Sequence, residues 1–172
     1  YFNNDSSGSK IYNWYAVAGI HDDNPDTANK VFAPEGWHIP SDSEWQTFEY
    51  YLVANGFDPS SSNNVAPALA STFGWDFSDN PTHVGFNQSS NNSSGFTWTC
   101  EGYRRGSDGF WFGFSGGNSL GSDGSFMLSS SLGVNAFGTE SVYIRYIRNS
   151  QGTITRGLYE KENAFSVRFI KD

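Results

Sequence analysis

The chain offers few side chains able to run a reaction. Its three histidines, His21, His38 and His83, lack the paired spacing of a zinc protease helix or of a two-histidine ligand set. Cys100 is the only cysteine and closes no internal disulfide. Activating its thiolate requires a nearby cation or histidine that the sequence does not place, so Cys100 reads as a small packed residue. Gly113, Gly116 and Gly117 lie in a polar loop without the strand-to-helix context of a phosphate or dinucleotide loop, and no nucleophile elbow is present. A carboxylate pair for sugar hydrolysis stays open, because the separation of two carboxyls is set in space and not in sequence. The expectation is that the chain is not an enzyme, with a carboxylate-based hydrolase kept as a third reading.

Binding chemistry is better represented. Phe110, Trp111, Phe112 and Phe114 form a dense run that does not simply alternate, flanked by Gly and Ser. Such rings stack on the apolar faces of sugars or clamp a peptide side chain, and the alternative is that they form a second hydrophobic core. Asp108, Asn118, Asp123 and Glu140 supply oxygen donors in the same part of the chain. Hard cations want several oxygens in one place, which makes Glu140, Asp123 and Asp108 the candidate ligands of a Ca²⁺ ion. For Glu140 the competing reading is an ion pair with Arg145 or Arg148. Asp22, Asp23 and Asp26 around Pro25 form either a solvated turn or half of a calcium site; EF-hand spacing is absent.

Such groups need elements to position them, and one element is unusually well specified. Ser41 followed by Glu44 is a capping box, with Pro40 before it as a staple on Trp45. Trp45, Phe48 and Leu52 recur on one helical face, and Asn55-Gly56 supplies a left-handed stop. Residues 66–71 fit a second, short helix. Residues 11–18 mix aromatic and β-branched residues and read as a strand, and residues 141–159, with a turn at 149–152, read as a hairpin. Alternation recurs through Phe165, Val167 and Phe169. Antiparallel strands with helices held to one side define an α+β class.

Composition narrows the partners. With 10 Lys plus Arg against 18 Asp plus Glu, the net charge is -8, which disfavours nucleic acid and anionic membrane surfaces. No apolar run of about 18 residues exists to span a membrane. Asn-x-Ser sequons in the Asn/Ser-rich stretch 87–95 arise from that composition and carry no functional weight. No repeat or linker divides the sequence, so residues 1–172 are read as one domain, a fragment of a larger protein whose targeting segment lies upstream of Tyr1.

The stretch Gly36-Trp37-His38-Ile39-Pro40, followed by Asp42, Glu44 and Trp45, resembles the signature of the Fibrobacter succinogenes major paralogous domain. Residues 11–17, 68–75, 95–104 and 165–172 match that family in order. The family is itself similar to the formylglycine-generating-enzyme (sulfatase-modifying factor) branch of the C-type lectin fold. The resemblance implies a C-type lectin-like architecture with one main and one short helix, long polar loops, and first and last strands that pair. Formylglycine-generating enzymes act through a cysteine pair near the C-terminus; with Cys100 alone, that oxygenase chemistry is not expected. The Glu-Pro-Asn and Trp-Asn-Asp calcium motifs of lectins are missing from the window in which they would serve. Ligand surfaces of this fold lie on the long-loop region and the strand after it. Residues 104–146 are therefore the expected site, with Arg104, Trp111, Phe112, Phe114, Asn118 and Tyr143 as ligand-binding candidates, although Arg104 also fits a structural ion pair. The expected function is a non-catalytic, extracellular or cell-surface adhesin-type module for a glycan or an exposed protein or peptide segment, with Ca²⁺ as an optional cofactor. A structural subunit of a bacterial surface assembly is the alternative.

Overall fold

The computed structural model describes residues 2–3, 10–20, 30–58, 62–112 and 124–172. Its centre is a three-stranded antiparallel sheet of β6 (Ser125–Val134), β7 (Glu140–Ile147) and β8 (Thr155–Tyr159), in the order β6-β7-β8. The expected hairpin is thus present as β7 and β8, with Tyr146 opposite Thr155 and Val142 opposite Tyr159. Three two-stranded pairs surround it: β1 (Phe2–Asn3) with β2 (Lys10–Ile11), β3 (Trp37–His38) with β9 (Ile170–Lys171), and β4 (Tyr103–Arg104) with β5 (Trp111–Phe112). The helices are α1 (Trp14–Val17), α2 (Asp42–Ala54) and α3 (Ala66–Leu69). All four sheets are antiparallel, so the described residues form a mixed, strand-dominated α and β structure.

Both faces of the central sheet are covered, which explains why β7 has buried residues in both registers. Val142 and Ile144 face a cluster with Phe126, Leu128 and Phe165, while Ile147 and Met127 face a second cluster built on Trp45, Leu52, Leu69 and Trp98. Side chains alternate across a strand, so the sheet separates the two cores. Helix α2 belongs to the second. Its capping box is formed as the sequence requires, with Ser41 Oγ accepting from Glu44 N and the Glu44 carboxylate accepting from Ser41 N at 2.8 Å.

The sheet also receives the start of α2. Between Leu128 and Leu132 strand β6 bulges, and the freed serines turn to the helix. Ser131 Oγ accepts from Asp42 N at 2.9 Å, and Ser130 N donates to Pro40 O at 3.0 Å. A first-turn N–H that no helix can satisfy internally is satisfied by a bulge instead. On the same face Arg145 is fully buried, and its guanidinium donates to Asp42 Oδ1 at 2.8 Å and to Glu49 Oε1 at 2.5 Å.

Three expectations are corrected. Residues 11–18 are not one strand: only Ile11 is paired, Tyr12 bridges Phe165, and Asn13 then caps α1 by accepting from Ala16 N at 3.0 Å. Trp14 and Val17, one helical turn apart, both pack on the Phe126 cluster. The expected pairing of first and last strands is reduced to one antiparallel bridge between the segments read as those strands, Tyr12–Phe165, while among the described residues β1 pairs with β2 and β9 with β3. The closing segment makes isolated bridges from Ala164 to Ser166 and a regular pairing only at β9.

Candidate functional site

The sequence reading directs attention to residues 104–146, and the structure divides that region between two faces of the sheet. Phe112 stacks on Tyr103 with centroids 4.9 Å apart and planes at 11°, and Tyr103 in turn packs on Phe126 and Phe165. Arg105 lies over the Phe112 ring at 4.9 Å. Phe112, half-buried in β5, therefore belongs to the Phe126 side, while its strand neighbour Trp111 is half-buried and Phe110 remains 53% exposed. Tyr143 alternates with Val142 and Ile144 and so faces the α2 side, where the Arg156 guanidinium sits 3.9 Å above its ring and Gly133 lies against it. Arg104 exchanges backbone hydrogen bonds with Ala164, and its guanidinium closes over Gly109. These residues are not gathered into one site. Phe114, Asn118 and Asp123 lie outside the described residues.

The two described metal candidates are engaged by cations. Asp108 accepts two hydrogen bonds from the Arg105 guanidinium, which with the Phe110 N–H holds its carboxyl down at about 2. Glu140 accepts from Lys161 Nζ at 2.6 Å, so its ion pair is with Lys161 and not with Arg145 or Arg148. Among the described residues no group of three or more His, Cys, Asp or Glu is placed to hold a metal ion. Cys100 packs against the Trp45 cluster.

A concave site is found elsewhere, between α2 and the closing segment. Phe48, Tyr51 and Thr47 from α2, Phe96 from the loop before Trp98, and Phe169 and Ile170 enclose a groove of about 560 Å³, with Pro40, Glu44, Trp45 and Arg168 completing its walls. Phe48 and Phe96 are stacked with centroids 5.5 Å apart and planes at 30°, and both rings contact Trp45. Trp45 is 2% exposed and leans on buried Trp98, so the groove floor is an extension of the core and is rigidly held. Tyr51, 56% exposed, forms an outer edge.

Two local devices set the walls. Thr97 holds a left-handed backbone at φ 55, a conformation strained for a β-branched residue. Asn92 fixes it there: its Oδ1 accepts from Thr97 N at 2.7 Å and its Nδ2 donates to Thr97 Oγ1 at 2.8 Å. This turn carries Phe96 to the groove and presents the Thr97 carbonyl to Arg168 Nη2 at 3.2 Å, with the Arg168 guanidinium 5.5 Å above the Phe96 ring. At the other end His38 bridges the walls, with Nε2 2.8 Å from Glu44 Oε1 and Nδ1 2.6 Å from Asp172 Oδ1. The Asp172 and then the Glu44 hydrogen bonds raise the His38 pKa above its ordinary value, while Ser41 holds the Glu44 carboxyl below its own. With a carboxylate against each ring nitrogen, His38 acts as a clamp between α2 and the chain end. Its side chain is 39% exposed.

The model of the Fibrobacter succinogenes major domain matches residues 2–171. The chain belongs to that family. No curated protein and no solved structure matches it. In this major domain the signature residues now have physical roles: Trp37 and His38 form β3, Ser41 and Glu44 cap α2, and Trp45 supports the groove. Sequence reasoning placed Phe48 on the inner helix face but missed Phe96, Arg168, Phe169 and Ile170, which are brought to it from about 50 and 120 residues away by the fold. The available signal was the density of rings near the family signature; nothing in local spacing pairs them.

Proposed function

We propose that this major domain is a non-catalytic recognition module, displayed outside the cell or on its surface, and that its ligand seat is the groove between α2 and residues 168–170. The observation that carries the reading is the preformed aromatic floor of Phe48 and Phe96, held on core tryptophans and open to solvent along Tyr51. A concave, mostly apolar cleft with a few polar groups at its rim is the usual form of a binding site, and rigid rings bind at small entropic cost. The ligand is an exposed protein segment or a glycan presenting an apolar face. The C-type lectin-like grouping is part of the proposal, supported by the family signature, the main and short helices and the antiparallel core. The seat then differs from the long-loop surface on which lectins of that fold bind. Calcium enters only as a test arm, because Asp108 and Glu140 are already held by Arg105 and Lys161.

The experiment is a thermal-shift and NMR titration against panels of oligosaccharides and peptides, with calcium and with EDTA. The expected result is a ligand that raises the melting temperature with concentration and perturbs amides of 44–51 and 168–170. Ligands that leave these amides unmoved and shift residues 104–112 would return the site to the aromatic run. A surface-assembly subunit, the second reading, predicts no shift with any member of either panel.

A further inference from the structure

We infer that the groove reads a peptide segment in which a carboxylate side chain stands beside an aromatic or aliphatic one, the apolar group lying on Phe48 and Phe96 and the carboxylate meeting Arg168. This rests on the groove being the ligand seat and specifies what that seat selects.

The hydrogen-bonding inventory of the groove decides between ligand classes. Glu44 is already occupied: Oε1 by His38, and Oε2 by the Ser41 N–H and hydroxyl at 2.8 and 2.7 Å. Thr47 Oγ1 donates to Ser43 O at 3.0 Å. Beside the Thr47 and Tyr51 hydroxyls, the charged group left facing the space is the Arg168 guanidinium. It gives one hydrogen bond to Thr97 O and has no carboxylate partner among the described residues. A neutral sugar surrounds its ring with hydroxyls that each donate and accept; the Tyr51 and Thr47 hydroxyls can accept from such donors, but they give no partner that matches the charge of Arg168. A carboxylate only accepts, and it matches a guanidinium in geometry as well as charge.

The position of Arg168 argues for a built contact. In a chain of net charge -8, Arg105, Arg145, Arg156 and Lys161 are all matched to carboxylates. Arg168 instead is stacked on Phe96 and tied to the strained Thr97, so its orientation is fixed without its charge being spent. Asp172, four residues further along, is turned to His38. An anion is repelled by most of this surface and met by one oriented cation at the mouth of an apolar groove.

The test uses the 172-residue chain and two blocked peptides, Ac-Gly-Phe-Glu-Phe-Gly-NH2 and its glutamine counterpart, titrated at low salt with amide shifts as readout; an oligogalacturonate forms a third arm. The glutamate peptide is expected to bind about tenfold tighter or more than the glutamine one, as a lost charge-assisted hydrogen bond requires. Arg168→Gln is expected to abolish that difference. Thr47→Trp fills the groove from an exposed helix position and is expected to block both peptides. Equal affinity of the two peptides in the unaltered chain overturns the inference while leaving the groove as the seat. Binding of the oligogalacturonate alone, with shifts in the groove, overturns the peptide in favour of an acidic glycan. Shifts confined to other surfaces overturn the groove reading itself.

Discussion

Replacing Arg145 by Met tests whether the buried guanidinium joins α2 to the sheet. The side chain is 0% exposed, and it donates to Glu49 Oε1 at 2.5 Å, to Asp42 Oδ1 at 2.8 Å, and to the Asp42 and Ile144 carbonyls at 3.3 Å. Methionine fills much of the volume, so the effect isolates the charge and its donors. Removing one partner of a buried pair costs about 3–5 kcal/mol. The lower end applies, because Asp42 keeps two hydrogen bonds from Arg156 at 2.9 Å and Glu49 is 22% exposed to water. A loss of about 3 kcal/mol lowers the melting temperature by roughly 6–12 °C for a domain of this size. Urea unfolding followed by circular dichroism should show a lower midpoint with an unchanged slope. Adding Glu49→Gln should recover part of the loss, since the orphaned charge is then gone. A loss below about 1 kcal/mol would refute the reasoning and show that water or relaxation replaces the pair.

The remaining predictions concern single contacts. Because the folded-state pKa of His38 is raised, its contribution is complete below the ordinary histidine value and is lost as pH rises through the folded value; melts across that window should slope downward, and His38→Gln should flatten them. Asp42 is lowered, first by the Arg156 hydrogen bond, so its contribution is present above the ordinary aspartate value and disappears as pH falls through the folded one; acid unfolding should begin earlier in Arg156→Gln. Ser41→Ala removes the acceptor for Glu44 N and should cost about 1 kcal/mol in urea unfolding. Gly85→Ala sets a Cβ 2.1 Å from Asp76 O, a clash with backbone on a tightly paired loop, and should lower the melting temperature by several degrees.

The sequence by itself determined the local elements whose specification is local. The capping box, the buried face of α2, the turn between β7 and β8 and the α and β character follow from side chains within a few residues of one another, and the ordered signature carries the family. Residues 11–18 show the limit: an aromatic, β-branched octet satisfies strand and helix equally until Asn13 caps a turn and Phe165 takes Tyr12. The candidate site was a tertiary decision. Phe110, Trp111 and Phe112 look exposed in sequence because nothing nearby covers them, and Tyr103, itself packed on Phe126 and Phe165, takes up Phe112 only once the strands pair, leaving Phe110 exposed. Glu140 looked available until Lys161 was brought 2.6 Å away. The groove reverses the case, since Phe48, Phe96 and Arg168 carry no mutual spacing and meet through a bulge that docks α2 and a strained turn at Thr97. Burial and charge pairing depend on which distant segments share a face, and that is fixed by packing and not by neighbours along the chain.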